Sequence, residues 1–167
     1  MPTPPPELVD SVTVAGGAAG ACQSLLADAV AAPATAAQLA ALGAAYLRFL
    51  GALPGVALAP APWGVAVGLW PAPARLPLLR LGRPYLAAAR GGRELRHPIL
   101  GGLMARRPGG HLALGAAPER GRARLWVEVA GYHPRLGLGP LYLLTQVQVH
   151  RLVCAAFLRR AARALAG

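Results

Sequence analysis

The first regular pattern in the chain is a short alternation. Between Leu8 and Ala15, Val9, Val12 and Val14 are interleaved with Ser11 and Thr13, which predicts a strand. Gly16 and Gly17 end it, and an Ala-rich stretch from Ala18 to Leu53 follows, rich in the residue of highest helix propensity. Pro33 removes a backbone donor and clashes with the preceding turn, so the stretch is predicted as two helices, roughly 18–31 and 34–52. Thr35 is the candidate N-cap of the second. From Pro54 onward, short apolar runs are punctuated by Pro and Gly: Gly55–Ala59, Gly64–Trp70, Leu76–Leu81, Glu94–Met104, His111–Ala116 and Arg122–Tyr132. These six read as strands. The turns Pro108-Gly109-Gly110 and Pro118-Glu119-Arg120-Gly121 make the last three an antiparallel meander, and Leu86–Arg90 reads as a helical turn. Pro140 suits the first turn of a final helix of about 25 residues, running to Gly167.

That last helix carries the most information. At 100° per residue, Gln148, Arg151, Arg159, Arg160 and Arg163 fall on one side with Thr145. Leu143, Val147, Val153, Cys154, Phe157 and Ala161 fall on the other. Gln146 and His150 interrupt the apolar side and, four residues apart, are neighbours. A buried amide and imidazole need partners, because an unmet polar group costs about 1–3 kcal/mol. They either satisfy each other and a backbone carbonyl or line a pocket, and Tyr142, one turn earlier, would add a hydroxyl at its edge. His150 ordinarily titrates near neutrality and would serve as a proton donor or acceptor, although no nucleophile or carboxylate adjoins it in sequence.

Composition changes this picture in two respects. Of 167 residues, 37 are Ala and 29 Leu, with one Ile and two Phe, so the core is built from small side chains. The length suits one domain, with the Pro-rich residues 1–8 as a flexible start. All 17 basic residues are Arg; six acids oppose them, giving a net charge of +11. Twelve arginines lie in residues 91–167, so the second half is the basic one and is expected to favour anionic partners. The arginines at 90, 93, 96, 106, 107, 120, 122 and 124 suggest contact with nucleic acid or an anionic membrane. No helix-turn-helix, RNA-recognition or zinc-finger pattern accompanies them.

The N-terminus has no basic region before an apolar run, and a cytoplasmic location is the expectation. Ala29–Leu47 is uncharged over near-spanning length, but Ala, Pro33, Thr35 and Gln38 make it a poor membrane segment. Cys22 and Cys154 match no metal spacing and read as reduced core residues. His97, His111, His133 and His150 are scattered, so no metal site or cofactor is expected. Gly16-Gly17-x-x-Gly20 lacks the spacing of a dinucleotide-binding turn. In Arg122–Tyr132, Leu125, Val127 and Val129 alternate with Arg124, Trp126 and Glu128. Either the second set faces solvent, or it faces inward, so that Trp126 and Tyr132 line a cavity with Glu128 inside it.

The predicted order β-αα-β6-α resembles the START-like helix-grip superfamily, which includes polyketide cyclases and lipid-transfer domains. Pro108-Gly109-Gly110, the strand Arg122–Tyr132, the exit Tyr132-His133-Pro134-Arg135-Leu136 and Tyr142 through His150 resemble the C-terminal half of its uncharacterised members. The resemblance implies an α+β fold: a curved antiparallel sheet of about six to seven strands wrapped around the long C-terminal helix, with two short Ala-rich helices after the first strand. It also implies an apolar cavity between sheet and helix. The expected function is binding of an apolar small molecule or lipid, with or without cyclase-like chemistry, through Tyr142, Gln146, His150, Trp126 and Tyr132. The superfamily has no universal catalytic motif, so no catalytic residue is assigned.

Overall fold

In the computed structural model, residues 8–27, 35–135 and 146–166 are described. The fold is α+β, with one large antiparallel sheet and helices against it. The strands are β1 (Leu8–Ala15), β2 (Ala18–Ala27), β3 (Val56–Ala61), β4 (Gly64–Leu69), β5 (Pro77–Gly82), β6 (Tyr85–Ala89), β7 (Gly92–Gly101), β8 (His111–Glu119) and β9 (Arg122–Tyr132). Helix α1 (Ala36–Gly51) lies between β2 and β3, and α2 (Gln146–Ala166) follows β9. The sheet runs β1-β2-β9-β8-β7-β5-β4-β3, and β6 pairs with β7 alone. Strand β7 serves both neighbours by dividing its length: Gly92–Arg96 pairs with β6, while Ile99 and Gly101 pair with β5.

The sheet has nine strands, two or three more than the pattern predicts, and one helix where a pair is predicted. The predicted helix over 18–31 is β2 for all of its described length. Gly16 and Gly17 both have positive φ, at 58° and 77°, and close a two-residue hairpin that pairs Ala15 with Ala18. The returning strand is then enclosed between β1 and β9, where nearly every residue is buried. Near the turn the strand needs a small residue: a Cβ at Gly20 would lie 2.6 Å from Thr13 Oγ1. Tertiary pairing outweighs the helix propensity of alanine, which amounts to a few tenths of a kcal/mol per residue. Leu86–Arg90 is corrected in the same way: β6 ends in a second two-residue turn, Arg90-Gly91, with φ of 53° and 73°. A third, Arg120-Gly121, joins β8 to β9.

The remaining strand runs and the β7–β9 meander lie where the pattern puts them. Thr35 caps α1 as expected: its hydroxyl accepts from the Gln38 N–H, and the Gln38 side chain accepts from the Thr35 N–H, a complete capping box. Pro33 and the predicted start of the last helix at Pro140 lie outside the described residues. Both helices cover one face of the sheet, α1 on β3, β7 and β8 and α2 on β2 and β9. The core between them includes Leu25, Leu39, Tyr46, Leu81, Leu114, Leu125, Val127, Phe157 and Leu158. Gly43 allows α1 to approach β7 closely, since a Cβ there would meet Leu95 Cδ2 at 2.6 Å. No helix among the described residues is long and apolar enough to cross a membrane.

Candidate functional site

Two concavities open around α2. The first lies beneath its N-terminal half, between helix and sheet, where the sequence places a cavity. It is lined by Tyr132, Gln146, Val147 and His150 over an apolar floor that includes Ala21, Ile99 and Val129, and its volume is about 70 Å³. Tyr132 reaches it through a β-bulge: Ala19 and Ala21 of β2 face Tyr132 and Val129 of β9. The extra residue on β9 reverses the alternation, so even-numbered Tyr132 shares the inner face with odd-numbered Val129. The Tyr132 hydroxyl donates to the Met104 carbonyl.

Gln146 Oε1 is buried without a hydrogen-bond partner. His150 is half-buried, with Cys154 Sγ 3.5 Å from its Nδ1. Burial lowers the His150 pKa, opposed by the Ala21 backbone and the charge of Asp10, so the ring is neutral near pH 7. The Cys154 thiol is fully buried and lies 3.6 Å from the Tyr46 hydroxyl. Burial pushes its pKa up to about 12. Burial thus favours the protonated thiol, the less nucleophilic form.

Trp126 belongs elsewhere. The alternation of β9 sends it to the opposite face of the sheet with Arg124 and Glu128, away from the pocket that Tyr132, Gln146 and His150 share. Even there it is fully buried, packed with Cys22 and Ala117. Its indole N–H donates to Glu94 Oε2 at 2.9 Å, and Arg96 holds the other Glu94 oxygen at 2.5 Å. Arg90 spans the group, 2.6 Å from Glu128 Oε2 and 3.2 Å from Cys22 Sγ, with its guanidinium 5.7 Å from the indole centroid. The sequence reading leaves Glu94 unnoticed. Its signal is the alternation Glu94, Arg96 against Leu95, His97 along β7. Tyr142 lies outside the described residues.

The second concavity is larger. Helices α1 and α2 diverge over a cleft of about 550 Å³, walled by Leu42, Phe49, Phe157, Leu165 and several alanines, with Gln38, Arg48 and Arg160 as its polar lining. No acid among the described residues lines it. Phe157 is its best-anchored wall, 4.9 Å from the Tyr46 ring and 5.8 Å from the Phe49 ring, centroid to centroid. The helical wheel places Phe157 and Ala161 on the inner side of α2 and Arg160 on the outer. Pairing these with α1 needs the tertiary structure.

Four arginines of the second-half cluster are engaged within the protein. Arg90 and Arg96 pair as above, Arg124 pairs with Glu119 and contacts Ser24, and Arg122 donates to the Leu26 carbonyl. Buried His97 is held by the Gly82 carbonyl. Among the described residues, no group of three or more His, Cys, Asp or Glu side chains is placed to hold a metal. No family model, curated protein or solved structure matches the chain.

Proposed function

We propose that this protein binds an amphipathic small molecule with an acidic head and an apolar tail, and that the α1–α2 cleft receives it. The supporting observation is the combination of size and charge. Small-molecule sites fall around 300–1,000 Å³ with mostly apolar walls and a few polar groups. The cleft, at about 550 Å³, lies within that range, whereas the pocket beside Gln146 and His150, at about 70 Å³, is too small for a lipid. Arg48 and Arg160 supply donors suited to a carboxylate or phosphate, and no acid among the described lining residues opposes them.

This keeps the apolar-ligand reading drawn from the sequence and moves its site from beneath α2 to between the two helices. The START-like resemblance supplies less support, because β2 replaces the first of its two helices. A nucleic-acid or anionic-membrane role draws on the same positive charge, but Arg90, Arg96, Arg122 and Arg124 already have partners within the protein.

Calorimetric titration with dodecanoate, dodecyl phosphate and dodecanol tests the reading. For a ligand of this size, about 0.3–0.5 kcal/mol per heavy atom corresponds to a Kd of roughly 10 µM to 1 mM. Both acids are expected to bind more tightly than the alcohol, and Ala41→Trp, at an exposed cleft position, to abolish binding. Equal affinity for acid and alcohol, or binding unchanged in Ala41→Trp, would sink the proposal.

A further inference from the structure

Among the described residues the sheet has three edge strands, and they are finished differently. Strand β3 has six residues and carries Pro60, which offers no N–H. Strand β6 has five residues and begins directly after Pro84. Both show the shortness or proline that keeps an edge from recruiting another strand. Strand β1 follows Pro4-Pro5-Pro6 and Glu7 in sequence, but it is eight residues long and has no proline within it. It has no basic residue and no bulge against β2. Its one charge, Asp10, accepts from Gln23 Nε2 at 2.7 Å and pairs with Arg151 of α2. Val9, Val12 and Val14 are 42%, 40% and 52% exposed.

The hairpin fixes which backbone groups point outward. A two-residue turn makes Ala15 and Ala18 a hydrogen-bonded pair, and such pairs recur at every second residue: Thr13 with Gly20, Ser11 with Cys22, Val9 with Ser24. Leu8, Asp10, Val12 and Val14 therefore direct their N–H and C=O groups away from β2. No other described strand pairs with them.

We propose that β1 is a homodimerisation edge, paired antiparallel with β1 of a second copy about a two-fold axis at Ser11. In this register Leu8 bonds Val14 of the second copy and Asp10 bonds Val12 of the second copy, with the symmetric pairs completing the ladder. Every outward N–H and C=O from Leu8 to Val14 is satisfied. Centring the axis on Val12 instead leaves Leu8 without a partner in the other β1. Local charge does not oppose a second copy. Two chains of net charge +11 repel wherever arginines face each other, but residues 8–27 contain none, and the nearby Arg151 is neutralised by Asp10.

Sedimentation equilibrium of the intact chain, with cysteine cross-linking, tests this. The wild type is expected at twice the 17.1 kDa chain mass. Val12→Pro, which removes an N–H that β2 does not use, is expected at the single-chain mass with an unchanged circular dichroism spectrum. Val12→Arg, which adds charge at the edge and leaves the backbone intact, should give the same mass. Ser11→Cys is made with Cys22→Ala, because Cys22 lies directly across the hairpin and would capture the new thiol. It should oxidise to a covalent dimer, since facing residues of a non-hydrogen-bonded pair lie about 4.5 Å apart at Cα, within disulfide range. Val9→Cys in the same background should not, because its counterpart is offset by four residues, about 13 Å along the strand. A single-chain mass for the wild type throughout the micromolar range overturns the proposal. So does a dimer that persists in folded Val12→Pro and Val12→Arg, or cross-linking as efficient at residue 9 as at residue 11.

Discussion

Gly115→Ala is the smallest change that tests how the outer face of the sheet is built. A Cβ at residue 115 would lie 2.7 Å from Trp126 Nε1 and closer still to Cε2 and Cζ2, so the indole must move. Trp126 is fully buried, and its N–H donates, with Arg96, to the carboxylate of Glu94, itself 1% exposed. Overpacking costs about 1–3 kcal/mol, and weakening the hydrogen bonding of a buried carboxylate adds about 1–3 kcal/mol. Alanine recovers about 0.5–1 kcal/mol of backbone entropy relative to glycine. The net expectation is a loss of about 1–5.5 kcal/mol, read by urea unfolding. For a chain of this length that lowers Tm by very roughly 2–22 °C. Tryptophan emission should shift as well, because Trp126 is buried while Trp63 and Trp70 are exposed. A variant within about 0.5 kcal/mol of wild type, the scatter of neutral surface changes, with unchanged emission would refute the placement of Trp126 under Gly115.

Three further expectations follow from individual residues. Burial lowers the pKa of His97, His111 and His150 below the usual 6.5, so the unfolded chain takes up protons first and stability falls as pH drops below 6.5. Each group contributes at most about 1.4 kcal/mol per pH unit. Thermal melts from pH 7 to pH 5 should show this, and His97→Gln should flatten the slope; a flat profile, or stability rising toward pH 5, counts against it. Cys22 and Cys154 are both buried with raised pKa values; a disulfide reagent at pH 8 should label neither until denaturant is added, and rapid labelling of the native chain contradicts their placement. Thr35→Ala should cost about 1 kcal/mol by removing the α1 capping box, and urea unfolding indistinguishable from wild type would show that the cap is idle.

The sequence was most informative where one residue type forces one local geometry. Thr35 and Gln38 mark the start of α1, the Pro and Gly punctuation after Pro54 marks most strands, and the polar breaks at Gln146 and His150 mark the side of α2 that faces a pocket. Reading failed at β2, where alanine propensity conflicted with Gly16-Gly17. That pair is itself a hairpin signal, and it prevails because pairing with two neighbours buries a whole strand. Tyr132 was placed among the pocket residues without its reason, a bulge that reverses side-chain parity. For Trp126, alternation left two faces open, and the structure sets it with Glu94 and Cys22 on the face away from Gln146 and His150. The α1–α2 cleft was not legible, because its walls come from segments more than a hundred residues apart and neither helix shows the gap alone.

On the proposed function, an acidic amphipath occupies the α1–α2 cleft. Backbone amide chemical-shift mapping of the labelled protein with dodecanoate tests it most directly, because it reports where the ligand sits. Saturable shifts concentrated at Leu42, Ala45, Arg48, Phe157, Arg160 and Ala161, and absent in Ala41→Trp, are the predicted result. Shifts centred on Gln146 and His150, or none up to millimolar dodecanoate, would contradict the claim.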